Sequence, residues 1–264
     1  MIAIILFGVL MSGLQAAIPA AQRQALIALY NATGGDAWTN SAGWKTPPLD
    51  TDGFAMPGTE NGWYGVTTDL GSTTVTGINL SVNNLVGGLP SEIGDFPGLV
   101  SLNLHTNALS GSLPSSLGNL TNLTLLHLSM NQFTGTLPAE LGNLINLIEL
   151  DAYSNQLGGT IPASLGNLVD LQILNMRSNL FEGALPAELG NLAVLTQLNF
   201  HDNQLTGSIP ASLGGLTNLI SLRLHGNQLS GSIPVELGDL VNLQELYLNN
   251  NALTGPLPAS FGGL

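Results

Sequence analysis

Residues 75–264 predict an α/β solenoid: a stack of short coils, each adding one strand to a parallel β-sheet, with turns or short helices on the opposite side. Three observations predict it. An asparagine recurs every 24 residues, at Asn83, Asn107, Asn131, Asn155, Asn179, Asn203, Asn227 and Asn251. A proline keeps the same interval from Pro90 to Pro258, and a glycine from Gly94 to Gly262. Such a register belongs to stacked repeats, because each copy buries its apolar edge only against the next.

The elements follow in chain order. Residues 2–14 are apolar and are followed by Ala16 and Ala17. This resembles a secretory signal peptide, and residues 1–17 are expected to be cleaved. The run is short for a membrane span of ~20 residues. Residues 18–74 do not repeat and form an N-terminal cap. Ala21–Asn31 reads as a helix with Ala25, Leu26, Leu29 and Tyr30 on one face, stopped at Gly34–Gly35. Asp36–Glu60 is rich in Pro, Gly, Asp and Thr and reads as loop. Trp63–Val66 and Thr73–Leu80 read as strands leading into the first repeat. Trp38, Trp44 and Trp63 are the only tryptophans, and their expected role is to pack the cap over the open edge of that repeat.

From Val75 the unit is LxxLxLxxNxLxGxLPxxLGxLxx, as in Leu99–Leu120. Alternation through Leu102, Asn103, Leu104 and His105 is that of a strand with its leucines inward. The asparagine follows the strand, where its amide can bond open backbone groups of its own and the neighbouring coil. The mid-repeat glycine, Gly111 here, permits a tight turn, and the proline, Pro114 here, suits the start of a short helix. The chain stops inside a repeat at Phe261–Leu264 with no polar cap after it, so a fragment of a longer protein is expected.

Composition excludes several functions. With 4 basic and 17 acidic residues the formal charge is −13, which argues against nucleic acid and against anionic membrane surfaces. Membrane contact is expected only through a segment beyond Leu264 or an uncleaved N-terminal anchor. The absence of cysteine removes disulfides, thiolate metal sites and cysteine nucleophiles.

The 24-residue pattern resembles the leucine-rich repeat family across residues 75–264, and its LxGxLP/IPxxLGxL half resembles the plant extracellular subtype. The cap is similar to that group's N-terminal cap, with ALIALYNAT followed by Trp63-x-Gly65-Val66. Asn61 and Thr68 stand where plant caps place cysteines, a form that fits cysteine-free relatives from microbes or algae. The resemblance implies a curved right-handed solenoid with a concave parallel sheet, a second short sheet near the LxGx segment, and ligand binding mostly on the concave side.

The outward strand positions form columns. The first is Asn79, Asn103, His127, Asp151, Asn175, Asn199, Arg223 and Tyr247. The second is Ser81, His105, Ser129, Tyr153, Arg177, His201, His225 and Asn249. They hold all four histidines and two of the four basic residues. Neighbours in a column lie about 4.8 Å apart, one strand spacing. Tyr153, Arg177, His201, His225 and Asn249 should therefore form one strip, bordered by Asp151, Asp202, Arg223 and Tyr247. This strip is the expected binding surface, since Tyr and Arg are frequent interface anchors.

Other chemistries are weaker. His201, His225 and Asp202 could share a metal, but the neighbouring Arg177 and Arg223 would repel a cation, so no metal and no cofactor are expected. Glu149 and Asp151 are two residues apart on one face, yet an open sheet offers no pocket to raise either pKa. There is no triad motif, phosphate loop or dinucleotide fingerprint, and no enzyme activity is expected. Ser110/Ser112, Thr134/Thr136, Thr206/Ser208 and Ser230/Ser232 flank their glycines as two hydroxyl files, interrupted at Gly158, Glu182 and Ala184. Flat threonine arrays resemble ice-binding solenoids. The leading expectation is a secreted or cell-surface module recognising a protein or peptide on the concave face. A carbohydrate or cell-wall ligand, or an ice-binding or structural surface role, is the alternative.

Overall fold

A computed structural model describes residues 17–263 as a curved α/β solenoid. The proposed signal peptide, apart from Ala17, lies outside the described residues. One nine-stranded sheet runs the length of the array. Its strands are Val66–Thr68, Val75–Asn79, Ser101–Asn103, Leu125–His127, Glu149–Asp151, Ile173–Asn175, Gln197–Asn199, Ser221–Arg223 and Glu245–Tyr247. The first pair is antiparallel and every later pair is parallel in a 24-residue register, for example Asn103 opposite His127. Trp63–Gly65, expected as strand, is a turn instead, and pairing begins at Val66. Gly65 has φ +81°, which extended backbone does not allow.

A second sheet joins Val86–Gly88, Ala108–Ser112, Gln132–Thr136, Gln156–Thr160, Leu180–Gly183 and Gln204–Leu205. Ser230–Ser232 and Ala252–Thr254 form a separate pair, so this second sheet is not continuous. Five-residue 3-10 helices line the far side, as in Ser115–Asn119 after Pro114 and Ala139–Asn143 after Pro138. The glycine in each helix has a packing reason. A Cβ on Gly118 would lie 2.4 Å from the Glu140 carbonyl oxygen of the next repeat, so only glycine lets adjacent helices approach this closely.

The core is one unbroken leucine stack. Leu99, Leu102, Leu104, Leu109, Leu117 and Leu120 are all fully buried, and equivalents recur along the array. Each such side chain contributes about 1.5–3 kcal/mol. Burial thins at the last repeat, where Leu243, Leu246, Leu248 and Leu253 are only partly covered.

Behind the strands runs the asparagine ladder. Asn155 Nδ2 donates to Leu128 O at 3.1 Å in the preceding repeat and to Ala152 O at 3.1 Å in its own. Its Oδ1 accepts from the Phe133 amide at 3.0 Å. The same set recurs at Asn131, Asn179, Asn203 and Asn227. Asn107 and Asn251 repeat it, and Asn83, the first rung, bonds Asn40 of the cap. The residue before each rung is left-handed, with φ between 52° and 67° from Val82 to Asn250.

The N-terminal segment packs against the first repeat and shares its core. The helix spans Ala20–Ala32 and buries Ala25, Leu26, Leu29 and Tyr30. Tyr30, Trp38, Trp44, Phe54 and Trp63 form a chain of ring contacts with centroids 4.7–6.0 Å apart. The same helix also buries Arg23. Its guanidinium donates to Glu60 at 2.6 Å, to Asp52 at 3.1 Å and to Ala55 O at 2.7 Å.

Candidate functional site

The first column exists in register: Asn103, His127, Asp151, Asn175, Asn199, Arg223 and Tyr247 are successive partners across the sheet. The second lies two residues further on, where backbone bonds still join the repeats, as from Ser154 N to Arg177 O and from Asp202 N to His225 O, both at 3.0 Å. Side chains in these columns meet in two groups. Arg177 stacks its guanidinium 4.1 Å above the Tyr153 ring. Further along, the His201 and His225 rings are stacked, with centroids 4.3 Å apart and planes 15° apart. His225 also meets Tyr247 at 5.7 Å. His201, Arg223, His225, Tyr247 and Asn249 line one shallow depression of about 420 Å³.

Two outward expectations are corrected. Ser129 is fully buried, because its hydroxyl bonds His105 Nδ1 at 2.7 Å and the ring covers it. His201 is 9% exposed, hemmed by its stacked neighbour and by Asp202, whose Oδ2 lies 2.9 Å from Nδ1. Glu245 was not anticipated at all. It accepts from Arg223 Nη2 at 2.7 Å and from Ser221 Oγ at 2.8 Å. The signal was present, since Glu149, Ser221 and Glu245 form a third outward column two residues before the first.

Electrostatics also depart from expectation. Burial raises the Asp151 carboxyl to about 6, opposed by His127, the Tyr153 amide and Arg177, and reinforced by Glu149. An open sheet was expected to leave it unperturbed, but its neighbours on the face exclude enough water to matter. Glu149 Oε1 itself lies 3.2 Å from His127 Nε2, without hydrogen-bond geometry. His225 is held below the ordinary histidine range, first by burial, then by His201 and Arg223, against the pull of Asp202.

Unpaired polarity marks this face. The buried side-chain polar atoms lacking a hydrogen-bond partner are His127 Nε2, Asp151 Oδ1, Asn175 Oδ1, Arg177 Nε, Asn199 Oδ1, Arg223 Nε and His225 Nδ1. All seven, among the described residues, lie in the two columns. Buried polar atoms are nearly always satisfied elsewhere in proteins, and the ladder asparagines here are. A larger groove of about 560 Å³ runs where the strands begin, lined by Val100, Thr124, Ile148 and Gln172, each the residue before a strand, and by Val194 among others. Its asparagines already donate inward, as Asn122 does to Pro97 O at 2.7 Å and Asn146 to Thr121 O at 2.8 Å. It offers apolar contact, whereas the strip offers unsatisfied polar groups.

A solenoid of this repeat with this cap defines a class before any comparison. The Leucine Rich Repeat family matches residues 98–120, 122–144, 146–168, 170–192 and 194–216, and Leucine Rich repeats (2 copies) matches 217–259. The chain belongs to the leucine-rich repeat family. No curated protein matches it. Among solved structures it is similar to PEPR1 in the PEPR1–AtPEP1 structure, with 35% identity and a TM-score of 0.78 over 88% of this chain and 32% of that one. It is also similar to the Arabidopsis receptor kinase HAESA ectodomain in complex with an IDA peptide hormone, with 32% identity and a TM-score of 0.63 over 92% and 42%. A plant ice-binding protein shares 26% identity with a TM-score of 0.60 over 92% and 90%. The chain thus spans less than half the length of the PEPR1 and HAESA chains. No helix among the described residues is long and apolar enough to cross a membrane.

Proposed function

We propose that this chain is a non-catalytic recognition module, secreted or cell-surface, that binds a protein or peptide on its concave face. Tyr153, Arg177, His201, His225 and Asn249 form the contact strip, with Asp151, Arg223 and Tyr247 beside it. The observation that carries this reading is the confinement of unpaired buried polar atoms to that face. An extended backbone supplies alternating donors and acceptors that meet such atoms. The HAESA ectodomain, solved in complex with a peptide hormone, favours the same reading.

The test begins by panning a displayed random-peptide library on the wild type. Selected peptides are then titrated against Tyr153→Ala/Arg177→Ala/His225→Ala. The triple variant should lose at least about 30-fold in affinity, on the order of 2 kcal/mol, with an unchanged melting curve. Unchanged affinity sinks the concave strip. A signal on a glycan array that the same variant loses selects a carbohydrate ligand instead.

A second reading is ice binding. It is favoured by the plant ice-binding protein, which this chain matches over nearly the whole length of both. Exposed Ser112, Thr134, Thr136 and Thr160 on adjacent strands of the second sheet add to it. Ice-recrystallisation inhibition by the wild type, lost in Thr134→Leu/Thr136→Leu, supports this reading; no effect on crystal growth ends it.

A further inference from the structure

The geometry points to a divalent transition-metal site built from His201, His225 and Asp202, on the same face but independent of any peptide. One ring nitrogen of each histidine and one Asp202 oxygen all lie within 4.8 Å of one another. Among the described residues this is the one group of three or more such side chains so placed. Two imidazoles and a carboxylate suit zinc, nickel or copper rather than magnesium or calcium.

The repeat builds the arrangement. His201 and His225 occupy equivalent positions of adjacent coils, which stacks their rings 4.3 Å apart. His225 Nδ1 is buried and has no partner. Asp202 takes the left-handed position before its ladder asparagine, with φ +55°. That turn aims its carboxylate towards the next coil, where Gly226 stands. A Cβ on Gly226 would lie 2.4 Å from Asp202 Oδ1. Every other repeat from Val82 to Asn250 carries a side chain at the position of Gly226. The gap in that file therefore falls where the carboxylate needs room.

Two arginines were expected to repel a cation here. The structure weakens that objection for one of them: Arg223 is paired with Glu245 at 2.7 Å, whereas Arg177, over the Tyr153 ring at 4.1 Å, keeps its charge. Tyr247 is the remaining titratable neighbour lining the depression. Zinc ligation at 2.0–2.2 Å sets donors about 3.4 Å apart in a tetrahedron. The triad must close by up to about 1.4 Å from its widest separation, and because imidazole binds a metal in its ring plane the two stacked rings must turn towards each other as the 59% exposed Asp202 side chain swings in. His201 and His225 line one depression with Tyr247 and Asn249, which gives a metal ion a route to them from solvent.

Zinc chloride alone, titrated calorimetrically into the purified full chain, tests this. One saturable site is expected, weakened at least about tenfold by His201→Ala or His225→Ala and less by Asp202→Asn. His105→Ala/His127→Ala, which removes the other two histidines, should bind as the wild type does. Metal-free melting curves check that each variant folds. Imidazole resonances of His201 and His225, not of His105 and His127, should shift on addition of zinc. Absence of saturable binding, or equal binding by His201→Ala/His225→Ala, overturns the proposal. Neither result bears on peptide capture, which is measured without metal.

Discussion

Replacing Asn155 by leucine tests the ladder on its least obvious feature, the sharing of carbonyls. Asn155 bonds Leu128 O and Ala152 O, but Leu128 O also accepts from Asn131 Nδ2 and Ala152 O from Asn179 Nδ2. Neither carbonyl is stranded by the change. The Phe133 amide is different, since Asn155 Oδ1 is its hydrogen-bond acceptor and the Phe133 side chain is fully buried. An orphaned buried N–H costs about 1–3 kcal/mol, and each lost amide bond about 0.5–1.5 kcal/mol. With two amide bonds lost the sum is roughly 2–6 kcal/mol, or a fall of roughly 4–24 °C in melting temperature for a chain of this size. Asn155→Asp separates the terms. It keeps the acceptor for Phe133 but turns a second oxygen onto two carbonyls, so it should be no better than leucine. Circular dichroism melts give the totals, and hydrogen exchange should show the Phe133 amide opening first. A melting temperature within about 2 °C of wild type for Asn155→Leu would falsify the ladder argument.

Three further outcomes follow from particular contacts. Arg23→Met strands the buried Glu60 and should cost about 3–5 kcal/mol in denaturant unfolding; a loss under about 1 kcal/mol contradicts the reading of this cluster as the cap's anchor. Gly142→Ala puts a Cβ 2.4 Å from Ser164 O and should destabilise by about 1–3 kcal/mol, whereas Gly62→Ala, which meets nothing within 4 Å, should be close to neutral. Asp151 has a folded pKa of about 6 against 3.8 ordinarily. A raised value means that folding favours the protonated form, so its contribution is full below about pH 4 and is lost as pH rises through about 6. The gap corresponds to roughly 3 kcal/mol, reduced to about 1–2 kcal/mol by solvent at this partly open face. Asp151→Asn should therefore be more stable than wild type at pH 8 and no different at pH 4, and equal melting temperatures at pH 8 would refute the assignment.

Much of the fold was legible because stacking imposes the same demand every 24 residues. A leucine at position 102 and its equivalents, an asparagine at 107, a proline at 114 and a glycine at 118 each answer a contact with the next coil, so the demand repeats in the sequence. The cap's anchor was not legible. Arg23 meets Asp52 and Glu60 across 29 and 37 residues of irregular chain, and no period announces such a pairing. The columns were legible as positions but not as contacts. Alternation placed Ser129 outward, and only the His105 ring lying over it shows why it is buried. Glu245 stands in a third column, and its pairing with Arg223 two residues along the neighbouring strand has no counterpart in the repeat pattern.

The same residue type separates scaffold from surface most clearly. Asn155 and Asn179 spend both amide donors and the acceptor on backbone groups of two coils. Asn175 and Asn199 carry the same amide, are also largely covered, and leave Oδ1 without a partner. Chemistry is identical, so what differs is position: the first pair follows the strand, the second sits on its outer face. A ladder asparagine is constrained by its neighbours in every repeat, and that constraint keeps it invariant along the chain. A column residue has no such obligation, which is why the columns run through Asn, His, Asp, Arg and Tyr while the ladder never changes. Unsatisfied polar atoms accumulate where the repeats differ, and the proposed contact strip rests on that coincidence.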